Sequence, residues 1–358
     1  MHIRDCLALM VEKNASDIFY RAGGGVRMRI NGQVVAVNDK VIGSDDVDQA
    51  LDELLVTEER KGYFRKNLDI DFAYYSTPLD RRFRVSIFTQ RNTPAIVIRN
   101  IPSSVGTLEE LNLPAEVLKK LALEKRGLVL LTGTMGSGKS TTIAGMIEYI
   151  NNNCSKHILT IEEPIEFTFK DKKSIINQRE LGKDVASYSV ALRSFTLQSP
   201  DVIYIGNIRD YETMSAAITT AETGVLVLST LHTVNASQSI QRIINFFPPH
   251  HHNLIRTQLS SLLKGVISLR LISAKNESRR IPACEVMLLT PTISRLIRDG
   301  KILEIPPFIE DGSIFGMTSF NQSLARLAQE GKISEQEAME FTDNKDELSL
   351  TLKGIRRA

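Results

Sequence analysis

The sequence predicts an α/β protein in two modules: a small α+β module first, then a mainly parallel sheet flanked by helices that ends in a helical C-terminal region. Three observations carry this. The 358 residues are about two domains' worth of chain, at roughly 100 to 200 residues per domain. Up to Asn100 short alternating apolar stretches dominate, whereas from Leu113 onward apolar strands alternate with helical runs, the pattern of a parallel sheet. A glycine-rich loop ending in Lys139-Ser140 joins an apolar strand to a helix, a junction that open α/β sheets place at the carboxyl ends of their strands.

In chain order, residues 1–13 have helical apolar spacing, and strands are expected at 26–30, 34–37, 70–74, 83–88 and 95–98. Gly23-Gly24-Gly25 and Asn31-Gly32 mark turns, the second a hairpin signal. One helix is expected over 44–64, opened by Ser44-Asp45-Asp46. Residues 101–107, Ile-Pro-Ser-Ser-Val-Gly-Thr, are rich in turn formers and form the linker between the modules. Beyond it, strands are expected at 127–132, 157–161, 202–205 and 225–229. After about Phe246 helices are expected to replace strands, with Leu259, Leu262, Leu263, Val266 and Ile267 on one buried helix face.

Composition excludes several classes. Lys plus Arg number 44 against 42 Asp plus Glu, a net charge of +2 that is too balanced for a charge-driven nucleic-acid coat. Hydrophobic residues at 42% and charged ones at 24% suit a soluble globular chain and disfavour disorder. The three cysteines, Cys6, Cys154 and Cys284, are far apart without a CxxC pair, so a zinc module is not expected and a reducing cytosolic home is. The N-terminus lacks the apolar core of a signal peptide, and the charge-free run 223–241 is too rich in Ser, Thr, Asn and Gln to span a membrane. The triplet His250-His251-His252 is not expected to bind metal, because consecutive helical side chains do not face one way.

Gly133-Thr134-Met135-Gly136-Ser137-Gly138-Lys139-Ser140 fits G-x-x-x-x-G-K-[ST] in full, between the strand Leu128-Val129-Leu130-Leu131 and a helical run from Thr141. Its glycines let backbone N–H groups turn inward around phosphates, and the helix N-terminus adds a favourable dipole. Lys139 supplies charge to the β and γ oxygens of ATP, and Ser140 offers an oxygen to Mg²⁺. Hydrolysis also needs a carboxylate to orient water. Glu162, at the end of the strand Ile158-Leu159-Thr160-Ile161, is the candidate general base and reaches the metal through water; Glu163 and Glu166 are its candidate supports. A plain acidic loop is the alternative. The strand Val202-Ile203-Tyr204-Ile205 leads to Asn207, where a Walker B strand normally ends in an acid; an amide can hold a metal-bound water but cannot take a proton. His232 follows the next strand as a candidate γ-phosphate sensor, with a structural histidine as the alternative.

These residues, with Ser16-Asp17, Asn31-Gly32, Arg82-Phe83-Arg84-Val85 and Gln90-Arg91, resemble the type IV pilus retraction ATPases of the PilT/PilU class within the secretion ATPase superfamily. The stretch 162–167 resembles the Asp box, 200–210 the Walker B region, and Thr230-Leu231-His232 the His box. The segments 242–248, 290–298 and 316–322 resemble the PilU branch; PilT proteins carry AIRNLI where 292–297 stands here. The resemblance implies a PAS-like α+β domain over 1–100, a linker over 101–112, a RecA-like P-loop core over 113–290 and a helical C-terminal region over 291–358. It further implies an ATP- and Mg²⁺-dependent hexamer, cytoplasmic and peripheral at the inner membrane, driving pilus retraction and twitching motility through a membrane platform protein, alone or with a PilT-type ring. Glu162 aligns with the family's catalytic glutamate, and Arg82, Arg84, Arg91 and Arg99 are candidates to reach phosphate from the first domain, where a guanidinium fork suits the chemistry. Glu163 replaces the usual Asp, and Asn207 replaces the usual Glu, which opens the reading of a weakly hydrolysing accessory subunit. Pilus-assembly or type II secretion ATPases and DNA translocases are the remaining alternatives.

Overall fold

The computed structural model describes residues 2–30, 32–275 and 279–353, and the chain divides into two units, 1–103 and 104–358. Met1 and Asn31, read as part of the first helix and the first hairpin, lie outside the described residues, as do 354–358 of the helical C-terminal region.

Unit 1 contains α1 (Ile3–Glu12), β1 (Asp17–Arg21), β2 (Gly25–Ile30), β3 (Gln33–Val41), α2 (Ser44–Leu54), α3 (Glu58–Asn67), β4 (Asp69–Ser76), β5 (Arg81–Gln90) and β6 (Thr93–Ile101). The strands form one antiparallel sheet in the order β3-β2-β1-β6-β5-β4. One face is buried by the helices: Ile3, Cys6, Leu7 and Met10 repeat at the spacing of a single helix face, and they join Val47, Ala50, Leu54 and Phe64 over Ile18, Tyr20, Val85 and Ile87. The single helix expected over 44–64 is two. Thr57 interrupts it, its side chain accepting from Arg60 N to cap α3, and Glu58-Glu59 fill the favourable first turn. β1 was not anticipated, because Asp17 and Arg21 dilute a five-residue strand.

Unit 2 contains α4 (Ala115–Ala122), β7 (Gly127–Thr132), α5 (Lys139–Asn153), β8 (His157–Glu162), β9 (Ile175–Glu180), α6 (Tyr188–Phe195), β10 (Val202–Ile205), α7 (Tyr211–Glu222), β11 (Leu226–Leu231), α8 (Ala236–Asn245), α9 (His252–Leu262), β12 (Leu263–Ser273) and β13 (Arg280–Leu288). α10 (Pro291–Arg298), α11 (Ile305–Glu310), α12 (Phe320–Gln329), α13 (Glu335–Phe341) and α14 (Lys345–Leu352) complete it. The sheet order is β13-β12-β7-β11-β10-β8-β9, parallel except for β13. α4 and α5 pack on Val129, Leu131, Val202 and Leu228, while α6 to α9 pack on Leu128, Leu130, Ile203 and Val227 of the opposite face. The second unit is thus a mainly parallel sheet covered by helices on both faces and followed in the chain by further helices.

The reading of 259–267 as one helical face is corrected by the structure. α9 ends at Leu262, and Leu263, Val266 and Ile267 belong to β12, buried on both sides of the sheet. A strand covered on both faces has no polar alternation, so its apolar spacing mimics a helix. Strands therefore continue beyond Phe246. The C-terminal helices are held to β12 by Arg270, whose guanidinium lies 3.9 Å from the Phe320 ring centroid and 2.6 Å from Asp343. No described helix is long and apolar enough to cross a membrane. His252 donates through Nε2 to Phe247 O at 2.9 Å, and among the described residues no group of three His, Cys, Asp or Glu is placed to hold a metal.

Candidate functional site

The glycine-rich loop leaves β7 at Thr132 and enters α5 at Lys139, as the sequence requires. A Cβ at Gly133 (φ +146°) would lie 2.4 Å from Ser137 Oγ and 2.6 Å from Leu269 O, so only glycine fits. Gly138 (φ +97°) is the N-cap of α5 and turns the first-turn N–H groups toward the loop. Lys139 is buried and donates to Gly133 O at 2.7 Å and Thr134 O at 2.8 Å. Burial lowers its pKa to about 8, although Glu166 pulls the other way. The ammonium is thus held on its own loop, and an incoming phosphate offers it a better counter-charge than two carbonyls. Met135 is 90% exposed, which leaves its backbone as its contribution.

Beside the loop is a pocket of ≈ 260 Å³ lined by Ser137, Gly138, Thr141, Leu271, Arg280 and Pro282. Leu271, Arg280 and Pro282 were missed from sequence because β12 and β13 were not recognised as strands. Their apolar walls and single guanidinium suit the base and sugar of a nucleotide.

The other groups stand at the carboxyl ends of adjacent parallel strands. Glu162 ends β8 and is 5% exposed. Its Oε1 accepts from Thr160 Oγ1 at 2.7 Å and from Gln178 Nε2 at 3.1 Å, and the backbone of Glu166 also donates to the carboxylate. Burial nevertheless dominates and raises its pKa to about 7, near the working range of a general base. Glu162 and Ser140 line one cavity of ≈ 10 Å³, about the room one water needs. Gly206 is packed tightly here: a Cβ on it would approach Glu162 Cα to 3.1 Å and Ile161 O to 3.2 Å.

Asn207, one residue on, is 8% exposed, and both polar atoms of its amide are buried with no hydrogen-bond partner. A buried amide with four unmet hydrogen-bonding positions costs stability, and such groups mark ligand sites. Ser140 Oγ, the Glu162 carboxylate and Asn207 Oδ1 are all oxygen donors, the hard set that Mg²⁺ takes, so these residues fit that ion. His232 follows β11, and burial, then Lys139 and Arg209, lower its pKa, which keeps the ring neutral at physiological pH. Glu163 is turned outward and pairs with Arg209 at 3.3 Å.

The four arginines all lie in unit 1. Arg84 faces Arg99 across the β5–β6 ladder, and Arg82 is two residues before Arg84 on the same side of β5. Asp17 accepts from Arg99 at 2.9 Å and Asp71 lies 3.7 Å from Arg84, offsetting the like-charge contact. Both guanidinium groups stay partly exposed on the sheet face opposite the helices. Arg91 is not with them: it forms the β5–β6 turn with Asn92, at φ +48° and +61°.

The Type II/IV secretion system protein family matches residues 2–299. The chain belongs to that family. It is 40% identical to the type IV pilus ATPase PilU of Pseudomonas aeruginosa over 99% of this chain and 92% of that one. It is 41% identical to the type IV pilus retraction ATPase PilT of the same organism, over 95% and 98%. A crystal structure of the pilus retraction motor PilT with bound ADP superimposes with a TM-score of 0.88, at 38% identity and covering 98% and 99% of the two chains. The two identities differ by a point and do not by themselves divide the branches.

Within this family frame, Gln178 is a site residue that sequence reasoning missed. It faces Thr160 across the β8–β9 ladder and also binds Phe167 O at 2.8 Å and Phe169 N at 3.0 Å. Its strand reads Asn-Gln-Arg-Glu and looks like a polar loop until β8 pairs with it.

Proposed function

We propose that the chain is a Mg²⁺-dependent ATPase motor that assembles as a cytoplasmic hexameric ring and drives type IV pilus retraction. The observation that carries this reading is Glu162: a buried carboxylate with a pKa of about 7, anchored through one oxygen and sharing a cavity with the phosphate-loop residue Ser140. The near full-length likeness to PilU and PilT of Pseudomonas aeruginosa supports the pilus role and its direction.

In this mechanism the loop 133–138 and the α5 N-terminus bind the phosphates, and Lys139 exchanges its carbonyl partners for the β and γ oxygens. Ser140 would hold Mg²⁺, with Glu162 and Asn207 holding its water, and the ion would supply charge neutralisation at the phosphate. Glu162 takes the proton of the attacking water. Neutral His232 donates to the γ-phosphate, and Arg82, Arg84 and Arg99 bring positive charge from a first domain as the ring closes. Glu163 and Arg209 support the loop after β8. The ring acts on a platform protein of the inner membrane, which converts closure into pilus disassembly.

The test is Mg²⁺-dependent phosphate release by the assembled ring beside its Glu162→Gln variant. Loss of turnover with ATP still bound is expected in the variant; equal turnover in both would remove Glu162 as base. Asn207 favours a second reading, an accessory subunit that hydrolyses little alone and acts within a PilT-type ring. Negligible turnover in the wild type, restored on mixing with a PilT-type ATPase, would select it.

A further inference from the structure

Thr132, Ser268 and Glu285 occupy one row across three adjacent strands: Thr132 pairs with Ser268 between β7 and β12, and Ser268 with Glu285 between β12 and β13. Their side chains are bonded in line. Thr132 Oγ1 donates to Ser268 Oγ at 3.0 Å, Ser268 Oγ donates to Glu285 Oε1 at 3.1 Å, and the same Oε1 accepts from Ala236 N at 2.7 Å. One end of the row, Thr132, immediately precedes Gly133 of the phosphate loop. The other end is the first residue of α8, four residues after His232.

We infer that Glu285 is a positioning residue for hydrolysis: it fixes the segment carrying His232 relative to the root of the phosphate loop. This rests on the ATPase reading above. The first-turn N–H groups of a helix have no intrahelical acceptor, so Ala236 N depends on Glu285, while Asn235 Oδ1 serves Gln238 N at 2.9 Å. Thr233 Oγ1 closes the segment on Ser239 Oγ at 2.6 Å. A negative carboxylate at a helix N-terminus is favoured by the dipole, which offsets the burial that raises its pKa. Nothing else in the proposed mechanism uses this acid, and the chain it closes spans the two elements that must both meet the γ-phosphate.

The experiment uses the full chain with Glu285→Ala and Glu285→Gln. Gln keeps the Oε1 acceptor for both donors, and Ala removes it. Amide hydrogen exchange across 232–240, measured without nucleotide, is expected to speed up at least tenfold in the Ala variant and to stay within threefold of wild type in the Gln variant. With ATP, kcat is expected to fall at least tenfold in the Ala variant and recover with Gln, while the Kd for a non-hydrolysable ATP analogue stays within threefold. Unchanged exchange in the Ala variant, equal defects in Ala and Gln, a normal kcat despite faster exchange, or joint loss of affinity and kcat would each overturn the inference. Should Glu285→Ala not fold, Ser268→Ala, which cuts the row at its middle but keeps the Glu285–Ala236 bond, is read by kcat alone: a fall of at least tenfold at unchanged Kd is expected, and a normal kcat would overturn the inference. A wild type without turnover would sink the ATPase reading instead, and the exchange data would still decide the geometry.

Discussion

Gln178 Nε2 donates to Glu162 Oε1 at 3.1 Å from a neighbouring strand, and Thr160 Oγ1 donates to the same oxygen at 2.7 Å. Both bonds favour the carboxylate and oppose the burial that raises its pKa to about 7. Removing one donor therefore raises the pKa further. Since the base acts deprotonated, the acid limb of the kcat–pH profile of Gln178→Leu is expected to move upward from its position near pH 7. An unmoved limb would show that Gln178 does not control the base.

The same burial has a consequence for stability. The folded pKa of Glu162, about 7, lies above the ordinary 4.5, so the folded state binds more protons than the unfolded state between these values. Stability contributed at this site is present below about 4.5 and is lost as pH rises through 7. Glu162→Gln keeps an acceptor and removes the charge, so it is expected to be more stable than wild type at pH 8 by roughly 3 kcal/mol at most, from the size of the shift. The gain should shrink toward pH 5. Denaturant unfolding at both pH values checks it; a pH-independent difference would place the effect outside titration.

Asn207 sets function against stability in a similar way. Its unpaired buried amide costs about 1–3 kcal/mol. Asn207→Leu is expected to raise the melting temperature and lower turnover, because it relieves the amide and removes its oxygen from the site. Asn207→Glu, which restores an acid to the end of β10, is expected to raise turnover several-fold. Equal turnover in wild type, Leu and Glu variants would show that position 207 does not touch the reaction.

The legible and illegible parts of this molecule divide by range of interaction. The phosphate loop is contiguous: its glycines, Lys139 and the flanking strand and helix sit within one short window, so its residues and its structure are read together. Glu162, Asn207 and His232 could be nominated because each stands at or just past the end of an apolar strand, and parallel strands bring their carboxyl ends to one edge. Gln178 and Glu285 were not found, because their importance comes from register: Thr160 opposite Gln178, and Ser268 opposite Glu285. β12 was hidden for another reason, since a strand buried on both faces carries no period-two signal. Arg280, which lines the pocket beside the loop, was lost with β13.

Arginine placement gives the last prediction. Arg84 and Arg99 are cross-strand neighbours, whereas Arg91 lies at the far end of the same hairpin, about 20 Å along β5 at roughly 3.3 Å per residue. Arg91 is also left-handed, at φ +48°, a conformation that costs a non-glycine residue about 1 kcal/mol. Arg91→Gly is therefore expected to raise the melting temperature of the protein and leave kcat within twofold of wild type. Arg84→Ala and Arg99→Ala are expected to lower kcat about tenfold or more, as loss of a charge that meets the transition state does. Melting temperature should change little for Arg84→Ala, whose pair with Asp71 is exposed, and fall for Arg99→Ala, which leaves the buried Asp17 carboxylate with Arg29 at 3.2 Å as its remaining ion-pair partner. If instead Arg91→Gly loses turnover as Arg84→Ala does, the phosphate-directed arginines are at the turn, and the row on the open sheet face serves another purpose.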